Sequence, residues 1–488
     1  MDLGATTEAL EEAKGRQKIL ECRAVVHRIH GVARHLRMDY SLFDLGCGKD
    51  GSFLHAAPCC NPSCEGVGAI ECSGCQIAVY CGEICREIHA RAHRRACGNA
   101  SGRRTGCPVV KPSIFLWANV PAHCLIDPAE ISRSGDCVVE LCIAASGDLR
   151  DLFHTTDDFT GKKIIALVND YNSQVVARNF MILEMLRVHG DAGIEAAIAL
   201  WYSFVMTEPQ NLACKVAAYD ALERCGYLSR SAIQIVRMGL FSDQTGPVLE
   251  AAFSTSGSRS KLSIEMEDSS WGLIMAYVIA ELKPRDVEIA REKSMTDFRE
   301  SLAYSTGKLL PFSCINNEMR FSSGNNFLLD EAGCWTQMSS ADPMLGWDFA
   351  EVMSSGREAG AGSKDLYGSL FFHLKKLMER FLSLVRRCDV EIRLSRLDAC
   401  ELARRLKKSG SEFHAISTSN ICDANYVGFE SLLHDFAPLL RKNGTLVTSS
   451  MNWITGPDTR MEGLTSISAV LDCLGMSRKK ANKVILRL

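Results

Sequence analysis

The chain has 488 residues, of which 47% are hydrophobic and 23% are charged, and its formal net charge is −3. This composition is typical of a globular protein, and the length predicts two to four structural units. The small net charge gives no reason to expect nucleic-acid binding. The best apolar run, 271–280, is about half as long as a membrane span requires.

The N-terminal residues and the cysteine content indicate an intracellular protein. The chain begins MDLGATTEALEEAKGRQK, in which acidic and basic residues alternate, so we expect no signal peptide. Most of the 22 cysteines lie outside 59–97, inside apolar runs, where a free thiol packs as a small hydrophobe. We therefore expect a soluble protein with reduced cysteines, located in the cytoplasm, the nucleus or both.

Residues 1–58 are predicted to form a helical N-terminal segment, because apolar residues recur at helical spacing from Leu10 to Leu36. Near the end of this segment, 43–48 (FDLGCG) resemble the glycine loop of S-adenosylmethionine (SAM) methyltransferases. Such a loop should open a helix, and an acidic residue should end a second strand about 20 positions later. Pro58 follows too soon to leave room for that unit. We do not expect this loop to bind a cofactor.

Seven cysteines and one histidine between 59 and 97 form four couples with the spacing of metal ligands. The couples are Cys59 (or Cys60) with Cys64, Cys72 with Cys75, Cys81 with Cys85, and His93 with Cys97. Eight ligands are enough for two tetrahedral zinc ions of the structural kind, and in so small a segment metal binding must supply most of the folding free energy. Disulfides are the alternative, but they need an oxidising compartment and would not use a His-x3-Cys couple.

The stretch 59–97 also resembles a known family, the MYND zinc finger. The resemblance rests on Cys-x2-Cys at 72–75, Tyr-Cys at 80–81, Cys-x3-Cys at 81–85 and His-x3-Cys at 93–97. The opening CCNPSC is similar to a fungal variant of the finger, which favours Cys59 over Cys60 as the first ligand. In that family the couples interleave, so the resemblance implies two ligand sets. These are Cys59, Cys64, Cys81 and Cys85 for one ion, and Cys72, Cys75, His93 and Cys97 for the other.

MYND fingers bind partner proteins, often through short proline-containing peptides, so the resemblance implies an interaction module. Two positions depart from the family pattern. Arg86 stands where the family has glutamine, and Ala90 stands where it has tryptophan. Because an aromatic platform usually receives a proline-rich peptide, these changes keep the zinc ligands and remove the usual peptide platform.

Residues 98–135 are predicted to be a connector, and an α/β domain is predicted to begin at 136. The apolar run VVELCIAA at 138–145 is typical of a buried parallel strand, and it ends in a glycine turn that leads into a helix. A second strand, KIIALV at 163–168, ends in Asn-Asp and is followed by helical periodicity. Strand, turn, helix and strand in this order form half of a doubly wound sheet.

The remaining boundaries follow from the same patterns. Residues 136–245 are predicted to be the first half of the α/β domain, and 246–350 are predicted to be a helical insertion. Residues 351–488 are predicted to be the second half of the sheet, with a short basic helix at the C-terminal end over 479–488.

The α/β half carries a second resemblance. The stretches AASGDLRDLFHT at 144–155 and LVNDYNSQVVARN at 167–179 resemble a fungal domain family of unknown function that often accompanies a MYND finger. A related domain begins the axonemal dynein assembly factors. The segments 366–372 (LYGSLFF) and 417–428 (STSNICDANYVG) fit the C-terminal part of the same family. The resemblance implies a Rossmann-like fold and no particular reaction.

Ligands of an open α/β sheet bind beyond the carboxyl ends of its strands, where this sequence places Ser146, Gly147, Asp148, Asp170 and 418–423. In a SAM methyltransferase the first loop lies against the cofactor, and an acid after the second strand, here Asp170, binds the ribose hydroxyls. The structural alternative is that Gly147 makes a tight turn, Asp148 caps the next helix and Asp170 ends its strand.

The sequence thus predicts an α/β protein: a Rossmann-like, mostly parallel sheet with a helical insertion, joined to a small MYND finger that holds two zinc ions. The finger is expected to bind a protein partner, and the α/β domain is expected not to be catalytic. A SAM-dependent methyltransferase that uses the loop 144–148 and Asp170 is the alternative. Neither nucleic acid nor a membrane is an expected partner.

Overall fold

The structure is a computed structural model of the 488-residue chain. It describes residues 45–48, 51–98, 116–118, 120–127, 131, 135–155, 159, 161–227, 245–253, 259–279, 308–315, 321–328, 341–423, 425–450 and 484–487. Most of the predicted helical segment 1–58 lies outside the described residues, and its described part, 45–48 and 51–58, forms no helix.

The strands are numbered in chain order. They are β1 Ile70–Glu71, β2 Val79–Tyr80, β3 Val138–Ile143, β4 Lys163–Asp170, β5 Val205–Thr207, β6 Thr245–Ala252, β7 Lys261–Glu267, β8 Phe321–Gly324, β9 Asp389–Arg396, β10 Phe413–Ser417, β11 Leu440–Ser449 and β12 Val484–Arg487. The pairs β1–β2 and β5–β8 form two small antiparallel sheets. The other eight strands form the central sheet.

The helices are numbered in the same way. They are α1 Glu83–Gly98, α2 Arg150–Thr155, α3 Ser173–His189, α4 Ile194–Tyr202, α5 Glu208–Arg224, α6 Asp268–Ile279, α7 Phe312–Ile315, α8 Phe349–Glu358, α9 Leu366–Arg387, α10 Ala399–Ser409 and α11 Phe429–Phe436. Across the described part of the chain, no helix is both long and apolar enough to cross a lipid bilayer.

The central sheet has the strand order β12-β11-β10-β3-β4-β9-β7-β6. Its neighbouring strands are parallel, except that β6 and β7 are antiparallel. In the part β9-β4-β3-β10-β11-β12, the chain starts in the middle, builds one side and then crosses to the other, which is the order of a doubly wound sheet. The prediction of an α/β fold with a mostly parallel sheet is confirmed.

The sheet has a hydrophobic core on each face. Along β3, Leu141 and Ile143 belong to the large core that includes α3, α4, α5 and α9. Cys142, between them, belongs to a second core with Leu402 of α10 and Leu432 of α11. Successive side chains of a strand point to opposite faces, so both faces of β3 are buried. This burial explains why β3 is a continuous apolar run instead of an alternating one.

Two predictions about the later chain are wrong. The stretch 246–350 was expected to be a helical insertion, but β6 and β7 extend the central sheet beyond β9. Leu262, Ile264 and Met266 of β7 are buried and alternate with less buried residues, which is the period of a strand with one buried face. At the C-terminal end, 484–487 form β12 beside β11 and not the expected helix.

Candidate functional site

The segment 59–98 consists of the hairpin β1–β2 followed by α1. Tight turns bring its thiols together: the Cys64 N–H donates to the Asn61 carbonyl at 3.0 Å, and the Gln76 N–H donates to the Cys72 carbonyl at 2.8 Å. A side chain at Gly74 would approach the Cys97 Sγ to 2.9 Å. Glycine at this position therefore leaves the space in which the thiols of Cys72 and Cys97 meet.

The first candidate metal centre is made of four cysteines. The Sγ atoms of Cys59, Cys64, Cys81 and Cys85 all lie within 4.8 Å of one another. The Cys64 and Cys81 Sγ atoms are 3.6 Å apart, and those of Cys81 and Cys85 are 3.5 Å apart. Asn61 Nδ2 donates to Cys85 Sγ at 3.3 Å, and the Gly66 N–H donates to Cys64 Sγ at 3.3 Å. Such donors orient thiolates and reduce their charge in a metal site.

The second candidate centre is made of three cysteines and one histidine. The ligand atoms of Cys72, Cys75, His93 and Cys97 also lie within 4.8 Å of one another. Cys75 Sγ is 3.4 Å from His93 Nε2, and the Sγ atoms of Cys72 and Cys97 are 3.9 Å apart. Each of the two groups could hold a metal ion, and thiolate and imidazole ligands in sets of four suit tetrahedral zinc.

The structure brings the eight predicted ligands together in the interleaved order that the family resemblance implied. Cys60, which the spacing left open as an alternative to Cys59, belongs to neither group. Burial raises the pKa of its thiol to about 12. His89, another nearby imidazole, is also outside both groups, and its Nδ1 lies 3.2 Å from the Tyr80 hydroxyl.

The segment 59–98 is docked on the α/β domain through the turn between α8 and α9. The Lys364 N–H donates to the Gln76 carbonyl at 2.9 Å, and the Ser363 N–H and hydroxyl donate to Glu71 Oε2 at 3.0 and 2.8 Å. The His93 ring packs edge-on against Phe312, with 6.2 Å between ring centroids. These contacts cover the side of the finger that carries the second metal centre.

A buried carboxylate, Glu195 of α4, binds the backbone of the chain that leads into 59–98. Its oxygens accept the Cys47 N–H at 2.7 Å and the Leu54 N–H at 2.6 Å. Lys375 of α9 donates to it as well, at 2.9 Å. Within the predicted glycine loop 43–48, the Cys47 N–H therefore has a protein carboxylate as its acceptor.

The predicted residues at the carboxyl edge of the sheet do lie together, but they bind one another. The Gly147 N–H donates to Asp170 Oδ2 at 2.8 Å, and the Asn172 N–H donates to Asp170 Oδ1 at 2.9 Å. Burial raises the pKa of Asp170, and these two backbone donors oppose that rise. Gly147 has a φ of +59°, which is the left-handed turn that favours glycine.

The other two predicted residues also have structural partners. Asp148 Oδ1 accepts the Arg150 N–H at 3.1 Å at the start of α2, and its Oδ2 accepts the Ala118 N–H at 3.3 Å. The buried Ser146 hydroxyl lies 3.4 Å from Asn179 Nδ2, which donates to it. The observed contacts therefore match the structural alternative, in which Gly147 makes a turn, Asp148 caps a helix and Asp170 ends its strand.

Sequence reasoning missed Arg178 of α3, which is fully buried beneath this loop. Its Nη2 donates to the Gly147 carbonyl at 2.7 Å, and its Nη1 donates to the Leu116 carbonyl. Burial lowers the pKa of the guanidinium. Arg178 thus joins the connector residue Leu116 to the first loop of the sheet. An arginine in a helix normally indicates a solvent-exposed face, so no local pattern indicated this role.

A cavity of about 750 Å³ lies beside these residues, between the loops that follow β3, β4, β9 and β10. Its lining includes Gly147, Asp170, Asp398, Ser419 and Asn420. Of the predicted segment 418–423, Ser419, Asn420 and Ile421 therefore line the cavity. Asp398 was not identified from the sequence, although its position directly after a strand and before a helix is a detectable signal.

Comparison with known proteins gives one match. A family described as a domain of unknown function (DUF4470) matches residues 116–206, the part that contains β3, β4 and helices α2 to α4. No curated protein and no solved structure matches the chain. The match covers the first loop and Asp170 and does not include the segment 59–98.

Proposed function

We propose that this is a zinc-binding protein in which a MYND-type finger holds two structural zinc ions and serves as a protein-interaction module. The observation that carries the proposal is the convergence of eight ligands into one set of four cysteines and one set of three cysteines and a histidine. Closed four-ligand sets of this kind leave no open coordination position for catalysis. Their role is to fold and hold a surface.

The interaction surface we propose is the exposed face of α1. Ile84 is 75% exposed and Ile88 is 66% exposed, and residues four positions apart lie on the same side of a helix. Elsewhere in the finger, Val67 is 56% exposed. Large apolar side chains grouped on a small structural unit commonly mark a protein-binding surface. Another part of the finger already contacts the α/β domain through Glu71 and Gln76.

The α/β domain is, in this proposal, a Rossmann-like scaffold that does not perform methyl transfer. The strand order supports the Rossmann-like assignment. Both oxygens of Asp170 already accept backbone N–H groups, so the acid expected to bind a ribose has a structural role. The cysteines of the described ranges are all free of disulfides, which supports an intracellular location in the cytoplasm or nucleus.

The test is to compare the partners captured by the full-length protein in cells with those captured by the double variant Ile84→Asp/Ile88→Asp. Phe349→Asp is the matched control, because Phe349 is 60% exposed on α8, outside the finger. We expect the control to keep the partners of the unmodified protein and the double variant to lose them, with unchanged zinc content in both. If the double variant keeps the same partners, the interaction surface is not on this face of α1.

A further inference from the structure

The strongest unassigned feature is the cavity at the carboxyl edge of the sheet. We propose that it binds a phosphate-free nucleoside, either free or as the nucleoside part of a larger cationic or neutral ligand. This inference goes beyond the proposed function, which concerns the zinc finger, and does not depend on it.

The position of the cavity favours a nucleoside-class ligand. From β4 the sheet grows outward to β9, and the chain then crosses to β10 on the other side of β3. The junction of β3 and β10 is therefore the topological switch point, where doubly wound sheets bind their ligands. The cavity is lined by Ala144 and Gly147 after β3 and by Ser419 and Ile421 after β10. Its volume, about 750 Å³, lies within the range of small-molecule sites.

The carboxylates around the cavity and the capped N-termini of α3 and α10 disfavour a phosphate. Phosphates at such an edge bind the free N–H groups of helix N-termini. Here the Asn172 side chain accepts the first N–H groups of α3, and the Asp398 side chain accepts those of α10. The carboxylates of Asp170 and Asp398 also line the cavity, and the nearest guanidinium, Arg150, is paired with Asp148 at 2.8 Å. An anion entering here would meet negative charge, and the N-termini of α3 and α10 are already capped by side chains. Of the helix N-termini at the cavity, that of α11 has no side-chain cap, because its N-cap residue is Gly428.

The same lining suits a base and its sugar. Leu397, Ile421 and Val427 provide apolar walls, and Tyr171 and Tyr426 line the cavity although they are 65% and 54% exposed. Aromatic rings at a mouth of this kind can stack on a flat heterocycle.

A hydrogen-bond acceptor for the sugar is also present. Asp398 Oδ1 accepts the Cys400 N–H at 2.9 Å and the Glu401 N–H at 3.3 Å. Its Oδ2 has no hydrogen-bond partner among the residues that the structure describes. A carboxylate oxygen in this position can accept the hydroxyls of a ribose. Asp398 would thus take the role that the sequence assigned to Asp170.

The experiment is calorimetric titration of the zinc-loaded full-length protein with adenosine, SAM and S-adenosylhomocysteine, and separately with ATP and NAD. We expect binding of at least one phosphate-free ligand, with affinity at least about tenfold higher than that of ATP or NAD. Comparing the three phosphate-free ligands distinguishes a free nucleoside from a larger conjugate. No binding by any of the three at about 1 mM, or equal binding of ATP, would overturn the proposal.

A conservative variant tests whether the ligand binds at Asp398. Asp398→Asn keeps an N-cap of similar strength on α10 but replaces the open carboxylate oxygen with an amide that cannot accept both hydroxyls. We expect the affinity to fall about tenfold or more. Asp348→Asn is the matched control, because Asp348 caps α8 in the same way and does not line the cavity. Equal affinity of the two variants would show that the ligand does not bind at Asp398. Zinc content measured on the same samples keeps this outcome separate from any failure of the finger.

Discussion

Removing the carboxylate of Glu195 should loosen the entry to the finger and destabilise the whole domain. Glu195 is fully buried, and it joins three parts of the chain by accepting from Cys47, Leu54 and Lys375. Glu195→Ala leaves two backbone donors and a buried ammonium without their acceptor. Breaking a buried ion pair from one side costs about 3–5 kcal/mol, and we expect a loss of unfolding free energy in this range.

A double-mutant cycle separates the ion pair from the loss of packing. Lys375→Met removes the ammonium group of Lys375, a residue that is only 7% exposed. In the double variant Glu195→Ala/Lys375→Met no charge is left unpaired. We therefore expect the double variant to cost less than the sum of the single variants, by about 1–3 kcal/mol. Lys376→Met is the control, because Lys376 pairs with Glu358 in solvent, and such a pair contributes at most about 1 kcal/mol.

The assay is urea-induced unfolding of the zinc-loaded proteins, together with hydrogen exchange of the Cys47 and Leu54 amides. Both amides should lose protection in Glu195→Ala, because their acceptor is gone. Additive free energies within about 0.5 kcal/mol, or unchanged exchange of the two amides, would refute the role given to Glu195.

Two further predictions concern the docked finger and acid stability. Gly362→Ala should weaken docking, because a Cβ there would come within 2.8 Å of the Gln76 carbonyl oxygen. Hydrogen exchange of the backbone amides in 70–80 should then increase. Unchanged exchange would contradict the docking contacts. Burial lowers the pKa of His373 to about 4 from 6.5, so the unfolded chain binds a proton over that interval and the folded chain does not. The unfolding free energy should therefore fall by up to about 3 kcal/mol as the pH drops from 6.5 to about 4. His373→Gln should lose this pH-dependent fall. If the variant and the unmodified protein show the same dependence of stability on pH, His373 is not the cause of the fall.

Local patterns were enough to predict the candidate metal ligands and the first strands. The ligand couples are close in sequence, so their spacing alone restricts which thiols can meet. The strands β3 and β4 are apolar because both of their faces are buried, and such runs are visible without a structure. The strand β7 also carried a visible signal in the alternation of Leu262, Ile264 and Met266.

Contacts between distant parts of the chain could not be predicted in this way. Glu195 and Arg178 lie in helices where a charged residue usually faces solvent, and only the tertiary fold places their partners beside them. Asp170 was correctly placed at the end of its strand. Whether Asp170 could serve as a ribose ligand depended on a contact that the sequence does not reveal, because the Gly147 N–H donates to its carboxylate. The docking of the finger on Ser363 and Lys364 likewise depends on a turn some 290 residues away from Glu71.

The most direct test of the central claim is the zinc content of the purified protein, measured by native mass spectrometry and by elemental analysis. The two ligand sets predict two zinc ions per chain, one after Cys72→Ser or Cys81→Ser, and none when both are changed. Cys60→Ser is the matched control and should keep two, since Cys60 belongs to neither set. One zinc or none in the unmodified protein, or loss of an ion in Cys60→Ser, would contradict the two-centre account.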